Sequence, residues 1–353
     1  MPTSLTVTHL VRRFGPVGGM ENYVWKLAHQ CVAYGVRVRV ICEVVDDSVD
    51  AAIEIVHVRP ASPRPRWRAM REFQQRVEAV LATDRASFGI VHSHERCLSH
   101  QVTTFHGPPM GHLHAAPWYR RWSTRVRQWL AMEAEELLAD HVQVVCPVSG
   151  KIQSALEHLY PSLRDRCVQV AWPGVDAPQA LRNDRQHRLV FVGKEWKRKG
   201  LDRAIALIEA LSVSDPRYTL TVIGVNPSEV PRAWLNVSNV IWAGWMQTVP
   251  YGDFDVLVHP ARQEPFGMVV LEARAAGLAC VISDAVGAAE CPLTAVSVIP
   301  GDAPVETWVR AVEALITEPI HPERSRGWDR VAKQYLEEIY PQVNHVTGID
   351  TDL

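Results

Sequence analysis

A strand, a glycine-bearing loop, a helix and a second strand succeed one another within about forty residues at the N-terminus, and the same succession restarts near residue 188. Leu5–Leu10 (LTVTHL) reads as a strand and is followed by the loop RRFGPVGGM. Glu21–Tyr34 then carries Tyr23, Leu27, Cys31 and Tyr34 at spacings of three to four, the apolar stripe of a helix. Gly35 suits a left-handed helix end, and Val36–Cys42 (VRVRVIC) alternates like a strand. A crossover of this length makes the two strands parallel. In the second half, Leu189–Val192, Leu201–Leu211 and Tyr218–Gly224 repeat the pattern. The strand Val256–His259, the helix Met268–Ala276 and the strand Ala279–Ser283 follow.

Strands alternating with helices in both halves predict an α/β chain of two doubly wound, Rossmann-like domains facing across a cleft. With 353 residues the chain exceeds what one core usually serves. The expected division is 1–180, 181–330 and a helical tail over 331–353 that crosses back to the N-terminal domain. Trp172–Asn183 (WPGVDAPQALRN) reads as the linker. Ligands bind such sheets where strands end and helices begin. That rule directs attention to Gly15–Met20, Lys194–Gly200 and Gln263–Gly267.

Composition narrows the class. Hydrophobic residues make up 47% and charged residues 22%, which excludes a disordered or coiled-coil chain. A net charge of −2 speaks against wholesale binding of nucleic acid. No apolar run reaches the roughly 20 residues that span a bilayer, and the N-terminal apolar segment reads as a strand, not a signal peptide. The seven cysteines are scattered and never spaced C-x-x-C, as expected of reduced thiols in a cytoplasmic protein.

Three stretches carry chemistry. In DVLVHPARQEPFGMVVLEARAAGLACVIS, Glu264 and Glu272 stand eight positions apart. Pro265 favours a first helical turn and Gly277 a helix end, so Glu264 is expected at a helix N-terminus beside the N–H groups of Phe266, Gly267 and Met268. Glu272 sits on an apolar helix and must find donors, because burying it unpaired is costly. Ligand hydroxyls would satisfy both acids; a dipole partner at Glu264 and a surface ion pair at Glu272 are the alternatives. In Gly193–Gly200 (GKEWKRKG), three lysines and one arginine surround a helix start, a recipe for holding phosphate or a solvated basic turn. Gly18 and Gly19 let backbone approach a ligand closely or adopt positive φ. G-x-G-x-x-G is absent, so a nicotinamide site is not supported.

Glu264-Pro-Phe-Gly-Met-Val-Val-Leu-Glu272 resembles the E-x7-E motif of retaining GT-B glycosyltransferases of family 4. Further landmarks fall in that family's order over nearly the whole chain: Gly18-Gly19 with Glu21, Thr104–Gly107, Pro147–Ser149, Pro173–Asp176 and Arg198–Gly200. FVGKEWKRKGLDRA and LVHPARQE are most similar to the lipopolysaccharide-core glucosyltransferase branch, which moves glucose from UDP-glucose to a core heptose. The resemblance implies that Arg198 and Lys199 neutralise the donor diphosphate and that Glu272 holds the ribose hydroxyls. It further implies that Glu264, with Phe266 and Gly267, holds sugar hydroxyls and that His106 sits beside that sugar. Gly18-Gly19 would close over phosphate and acceptor, and Gly244-Trp245-Met246 would contact the base. Anomeric configuration would be retained with no metal cofactor, cationic side chains doing the electrostatic work.

The acceptor side is expected in the N-terminal half. His92, His94, His100, His106, His112 and His114 crowd into residues 92–114, but without a recognised closed zinc spacing. Pro117–Leu130 places Trp118, Trp122, Val126 and Trp129 on one helical stripe beside Arg120, Arg121, Arg125 and Arg127. Arginines in a first helical turn oppose the macrodipole, so this segment suits an anionic membrane surface or a phosphorylated lipid acceptor; a core helix with solvated arginines is the alternative. Residues 1–180 carry 20 Lys+Arg against 17 Asp+Glu, and 181–353 carry 17 against 22, so the N-terminal half is the more basic. The expected partners are therefore a UDP-linked sugar, a glycan or glycolipid acceptor of lipopolysaccharide-core type and the inner face of the cytoplasmic membrane. Two other classes stay open: a nucleotide-sugar epimerase, which needs no acceptor, and a non-catalytic membrane-surface module.

Overall fold

The computed structural model describes residues 5–62, 64–115, 117–176, 186–317, 321–323 and 325–343. Of the expected linker, 177–183 lies outside the described residues, as do tail residues 344–353. The chain forms two compact units, Met1–Trp172 with Trp328–Leu353, and Pro173–Gly327.

Each unit is built on a fully parallel sheet. In the first, the strands Thr6–Leu10, Arg37–Cys42, Ile53–His57, Ile90–Ser93, Val102–Phe105, Val144–Pro147 and Cys167–Val168 lie in the spatial order 3-2-1-4-5-6-7. In the second, Arg188–Val192, Thr219–Ile223, Val240–Gly244, Val256–His259, Ala279–Ser283 and Val296–Ile299 lie in the order 3-2-1-4-5-6. The order reverses between the first and fourth strands, where neighbouring loops leave in opposite directions and open a crevice. These are the strands Thr6–Leu10 and Ile90–Ser93 in one unit, and Arg188–Val192 and Val256–His259 in the other. Buried on both faces, the strands read as continuous apolar runs such as VLVH and ACVIS.

Local chemistry accounts for the helices that cover them. Gly19–Ala33 has Glu21 in its first turn, which complements the dipole. It buries Tyr23, Val24, Leu27, Ala28 and Cys31 and ends at Gly35, whose φ is +79°. Leu201–Ser214 starts from the left-handed Gly200 and turns Leu201, Ala204, Ile205, Ile208 and Leu211 into a core shared with Leu189, Phe191, Val256 and Val281. At about 25 cal/mol per Å² of apolar surface removed from water, each of these leucine, isoleucine, valine and phenylalanine side chains contributes roughly 1.5–3 kcal/mol.

Trp328–Gln334 packs within the first unit on the helix Gly19–Ala33, followed by a π turn at Tyr335–Ile339. Gln334 donates to the Val170 carbonyl at 2.9 Å, and Trp328 meets the Tyr23 ring edge-on with centroids 5.3 Å apart. All seven cysteines are free. Among the described residues no helix is long and apolar enough to cross a membrane.

The expected tryptophan stripe is not one helix. A single turn, Trp118–Arg121, is separated from the helix Thr124–Leu138 by Ser123, whose extended backbone (φ −60°, ψ 128°) restarts the helix. The break divides the aromatics. Trp129 packs inward beside the Arg96 guanidinium at 5.3 Å, while Trp118 and Trp122 are 69% and 76% exposed.

Candidate active site

The two loops at the reversal point of the second sheet are locked together. Gly193 has φ +151°, and the Lys199 stem lies where a Cβ would project. Gly200 has φ +75°, and a Cβ there would strike the Pro260 carbonyl. Only glycine permits both the backbone angle and the close approach. Across the gap the Arg262 N–H donates to the Arg198 carbonyl at 2.8 Å, and Arg198 Nη1 donates to the Gln263 carbonyl at 2.6 Å. The Arg262 guanidinium grips the Asp202 carboxylate with two bonds of 2.7 and 2.5 Å. The cationic loop and the acidic loop therefore form one rigid piece.

Glu264 lies at its centre. Its Oε2 is 3.1 Å from Lys199 Nζ, 3.3 Å from Arg198 Nη1 and 3.4 Å from His259 Nε2. Burial pushes its pKa up, but His259, Lys199 and Arg198 outweigh that and hold the carboxyl well below the usual range. A depressed carboxyl stabilises the fold fully above its unfolded value of 4.5 and loses that contribution as pH falls through the lower folded value. Urea midpoints measured from pH 7 down to pH 3 should therefore fall less steeply in Glu264→Gln than in the parent chain; identical slopes would contradict this ionisation.

Glu264 is not at a helix N-terminus. It bridges to Val286, its N–H donating to the Ala285 carbonyl at 3.2 Å, and the helix begins only at Met268. The reason is Gly267, which caps the helix in a left-handed conformation (φ +91°) and sends the preceding residues along a different path. Phe266 is buried and its carbonyl accepts from the Ala288 N–H at 2.7 Å. Among the described residues the N–H groups of Phe266 and Gly267 make no backbone–backbone hydrogen bond.

Glu272 is half-buried, and Tyr251 Oη donates to its Oε2 at 2.7 Å. Burial pushes this carboxyl up, while Tyr251 and Lys199 act in the opposite sense. Lys199 thus influences both acids, which places one cation within electrostatic reach of both members of the eight-residue pair. Close by in the chain's topology, the ends of Thr219–Ile223 and Val240–Gly244 frame a cavity of about 450 Å³ lined by Lys194, Gly224, Asn226, Pro227, Gly244 and Trp245. Trp245 is 62% exposed, with Lys194 Nζ 5.8 Å from its ring centre.

In the first unit, Gly18 is extended (φ −157°) and Gly19 opens the helix Gly19–Ala33, so neither uses positive φ. A Cβ on Gly18 would collide with the Glu21 carboxylate, whereas one on Gly19 would meet open space. His106 follows the strand Val102–Phe105 and hydrogen-bonds His94 through Nε2 at 3.1 Å. Arg121 and Trp122 are exposed beside Trp118; the Arg120 side chain lies outside the described residues.

A model described as Glycosyltransferase Family 4 matches residues 17–178, and one described as Glycosyl transferases group 1 matches residues 186–318. The chain belongs to the family 4 glycosyltransferases. A glycogen synthase of Mycobacterium tuberculosis (strain ATCC 25618 / H37Rv) is 29% identical over 291 residues, 72% of this chain and 66% of that protein. This glycosyltransferase therefore spans just under two thirds of that relative's length. An uncharacterised 41.2 kDa protein in the cps region of Klebsiella pneumoniae is 32% identical over 100 residues, 27% of each chain. Among solved structures, WaaG, a glycosyltransferase involved in lipopolysaccharide biosynthesis, superposes with a TM-score of 0.74 at 21% identity, covering 96% of this chain and 97% of that one. Anabaena HepE in complex with UDP and glucose superposes with a TM-score of 0.63 at 15% identity, covering 96% and 97%. At these identities the likeness shows the GT-B fold.

Two residues of this candidate site escape a reading by motif. His259 is fully buried with its Nε2 3.4 Å from Glu264 Oε2, and Tyr251 precedes the acid it contacts by 21 positions. His259 ends a strand at the reversal point, which is a positional signal; Tyr251 carries none.

Proposed function

We propose that this glycosyltransferase moves a hexose from a UDP-sugar to a glycan or glycolipid acceptor of lipopolysaccharide-core type, with retention of anomeric configuration. The observation that carries the reading is the convergence of Arg198 and Lys199 on Glu264, with Lys199 acting also on Glu272. Two cations at the reversal point can meet the charge that develops on a diphosphate as the bond to the sugar breaks. Glu264 and the N–H groups of Phe266 and Gly267, with Met268 opening the helix behind them, offer acceptors and donors to sugar hydroxyls. Glu272 takes the ribose hydroxyls, and Trp245 supplies an aromatic face for the base at the mouth of its cavity. His106 is assigned to the transferred sugar, and Gly18 and Gly19 to phosphate and acceptor. With cationic side chains at the diphosphate, the transfer proceeds without a divalent metal, and EDTA leaves the rate unchanged. The HepE structure that holds UDP and glucose, and the lipopolysaccharide role of WaaG, support the choice of donor and acceptor.

The test is calorimetric titration of the full chain with UDP-, ADP- and GDP-sugars, then mass spectrometry of the product on a core oligosaccharide. Sugar consumed without acceptor would indicate an epimerase instead, and an anomerically inverted product would overturn retention.

A second contact is favoured by the exposure of Trp118 and Trp122 beside Arg121 and Arg125. Aromatic rings with adjacent arginines suit the headgroup level of an anionic bilayer at the inner face of the cytoplasmic membrane. Replacing both tryptophans by alanine is expected to lower sedimentation with phosphatidylglycerol vesicles about 10-fold while leaving transfer to a soluble acceptor intact. Equal sedimentation of parent and variant would overturn the contact.

A further inference from the structure

At the reversal point of the first sheet, parallel pairing sets His9 opposite His92, and His94 follows two residues later, just past the strand end. Together they are the one group of three among the described residues with nitrogens close enough to share a metal ion, within 4.8 Å of one another. The hydrogen bonds of His92 argue against that use. Tyr23 Oη donates to the Ala171 carbonyl at 3.3 Å, and a carbonyl can only accept. Tyr335 therefore donates to Tyr23 (3.0 Å), Thr104 donates to Tyr335 (2.6 Å), and His92 Nε2–H donates to Thr104 (2.7 Å). The remaining His92 nitrogen, Nδ1, then accepts from Tyr340 Oη at 3.0 Å. With one nitrogen protonated and the other occupied, His92 has no lone pair for a metal.

The other rings form a second chain. His9 Nδ1 lies 3.1 Å from His94 Nε2, and His94 Nδ1 lies 3.1 Å from His106 Nε2. Burial pushes His9 and His106 down to about 3 and His94 well below its ordinary value, so all three are neutral. Each neutral imidazole carries one N–H, so the chain can run in only two directions. Running inward, it would end on a His9 Nε2–H that is buried and has no acceptor. Running outward, the same atom is an unused lone pair, which is the less costly defect, as it is for buried backbone groups. The far end is then His106 Nδ1–H, on a half-buried ring whose Nδ1 has no partner among the described residues and is not sealed from solvent.

We infer that the imidazole chain His9–His94–His106 fixes His106 as an Nδ1–H donor, presented to an oxygen of the hexosyl donor, with His9 and His94 as positioning residues. The inference rests on the proposed contact between His106 and the transferred sugar. It matters because a free imidazole exchanges tautomers, whereas a donor held in place loses no free energy to reorganisation when the ligand arrives.

The direct test is a long-range proton–nitrogen correlation spectrum of the full chain with 15N-labelled histidine rings. His9, His94 and His106 should each show a protonated Nδ1 and a bare Nε2. A protonated Nε2 on His106 overturns the inference, as do ring shifts that change on adding EDTA, which would mean a metal-bound trio. The functional arm compares His94→Leu with His94→Gln, whose single amide both donates and accepts. The leucine variant should lose about 10-fold or more in kcat, and the glutamine variant should recover to within about threefold. Equal activity of leucine and glutamine variants overturns the positioning role. Full activity of His106→Ala would instead overturn the sugar contact beneath it, while the ring spectrum still decides the tautomer.

Discussion

Lys199→Ala is expected to lower sugar transfer by about 10²–10³-fold while the chain stays folded. Among the described residues, Lys199 bears on both acids, pairing with Glu264 at 3.1 Å and acting on the charge of Glu272. Its contribution should grow as the sugar–phosphate bond breaks and negative charge accumulates on the leaving diphosphate, so the loss should fall on kcat more than on KM. Folding should survive because Glu264 keeps Arg198 as an ion partner and because Gly193, over which the Lys199 stem lies, tolerates a smaller neighbour. The expected cost in stability is about 1–2 kcal/mol. Lys199→Arg should not restore activity. The slot above Gly193 admits a narrow methylene stem, and a planar guanidinium is not a substitute for a compact ammonium. Steady-state kinetics with UDP-glucose, alongside a thermal melt, checks both halves. A folded Lys199→Ala enzyme with parental kcat would remove the central electrostatic claim.

Glu272→Ala is expected to weaken donor binding about 100-fold, with KM rising more than kcat falls. Hydrogen bonds from hydroxyls to a charged acceptor are worth about 1.5–3 kcal/mol, and those to a ribose are made alike in ground state and transition state. The variant also leaves Tyr251 Oη, now bonded to Glu272 at 2.7 Å, without its partner. That accounts for a further loss of about 1–3 kcal/mol in stability. Tyr251→Phe separates the two effects. It keeps the carboxylate for the ligand and removes only its tether, so donor affinity should fall less than in Glu272→Ala. Calorimetry with UDP alone is the measurement; unchanged affinity in Glu272→Ala would show that this carboxylate serves the fold and not the nucleotide.

Both predictions concern residues that lie in contiguous stretches of the chain, where the sequence alone makes them stand out. The apolar spacing of Tyr23, Leu27 and Cys31 declares a helix within a few turns, and VRVRVIC declares a strand within seven residues. Helix ends at Gly35 and Gly277 were equally local, since a left-handed residue depends on its own missing Cβ. The cationic loop and the acid pair are single runs flanked by recognisable strands and helices. What such runs left undetermined were boundaries where weak preferences compete. Ser123 starts a new helix and splits the tryptophan stripe, and the left-handed Gly267 detaches Glu264 from the helix that follows it.

By itself, the order of amino acids determined two α/β units, the loops at their strand ends and the identities of the acids and cations on those loops. Tertiary structure alone decided that His9 stands beside His92 across 83 residues, that Tyr251 serves Glu272, and that His259 meets Glu264 at the strand end. The physical reason is reach. Periodicity and capping are written within one or two turns of chain, whereas the contacts of these side chains follow from the register of parallel strands and the 3-2-1-4-5-6 order, which no local segment encodes.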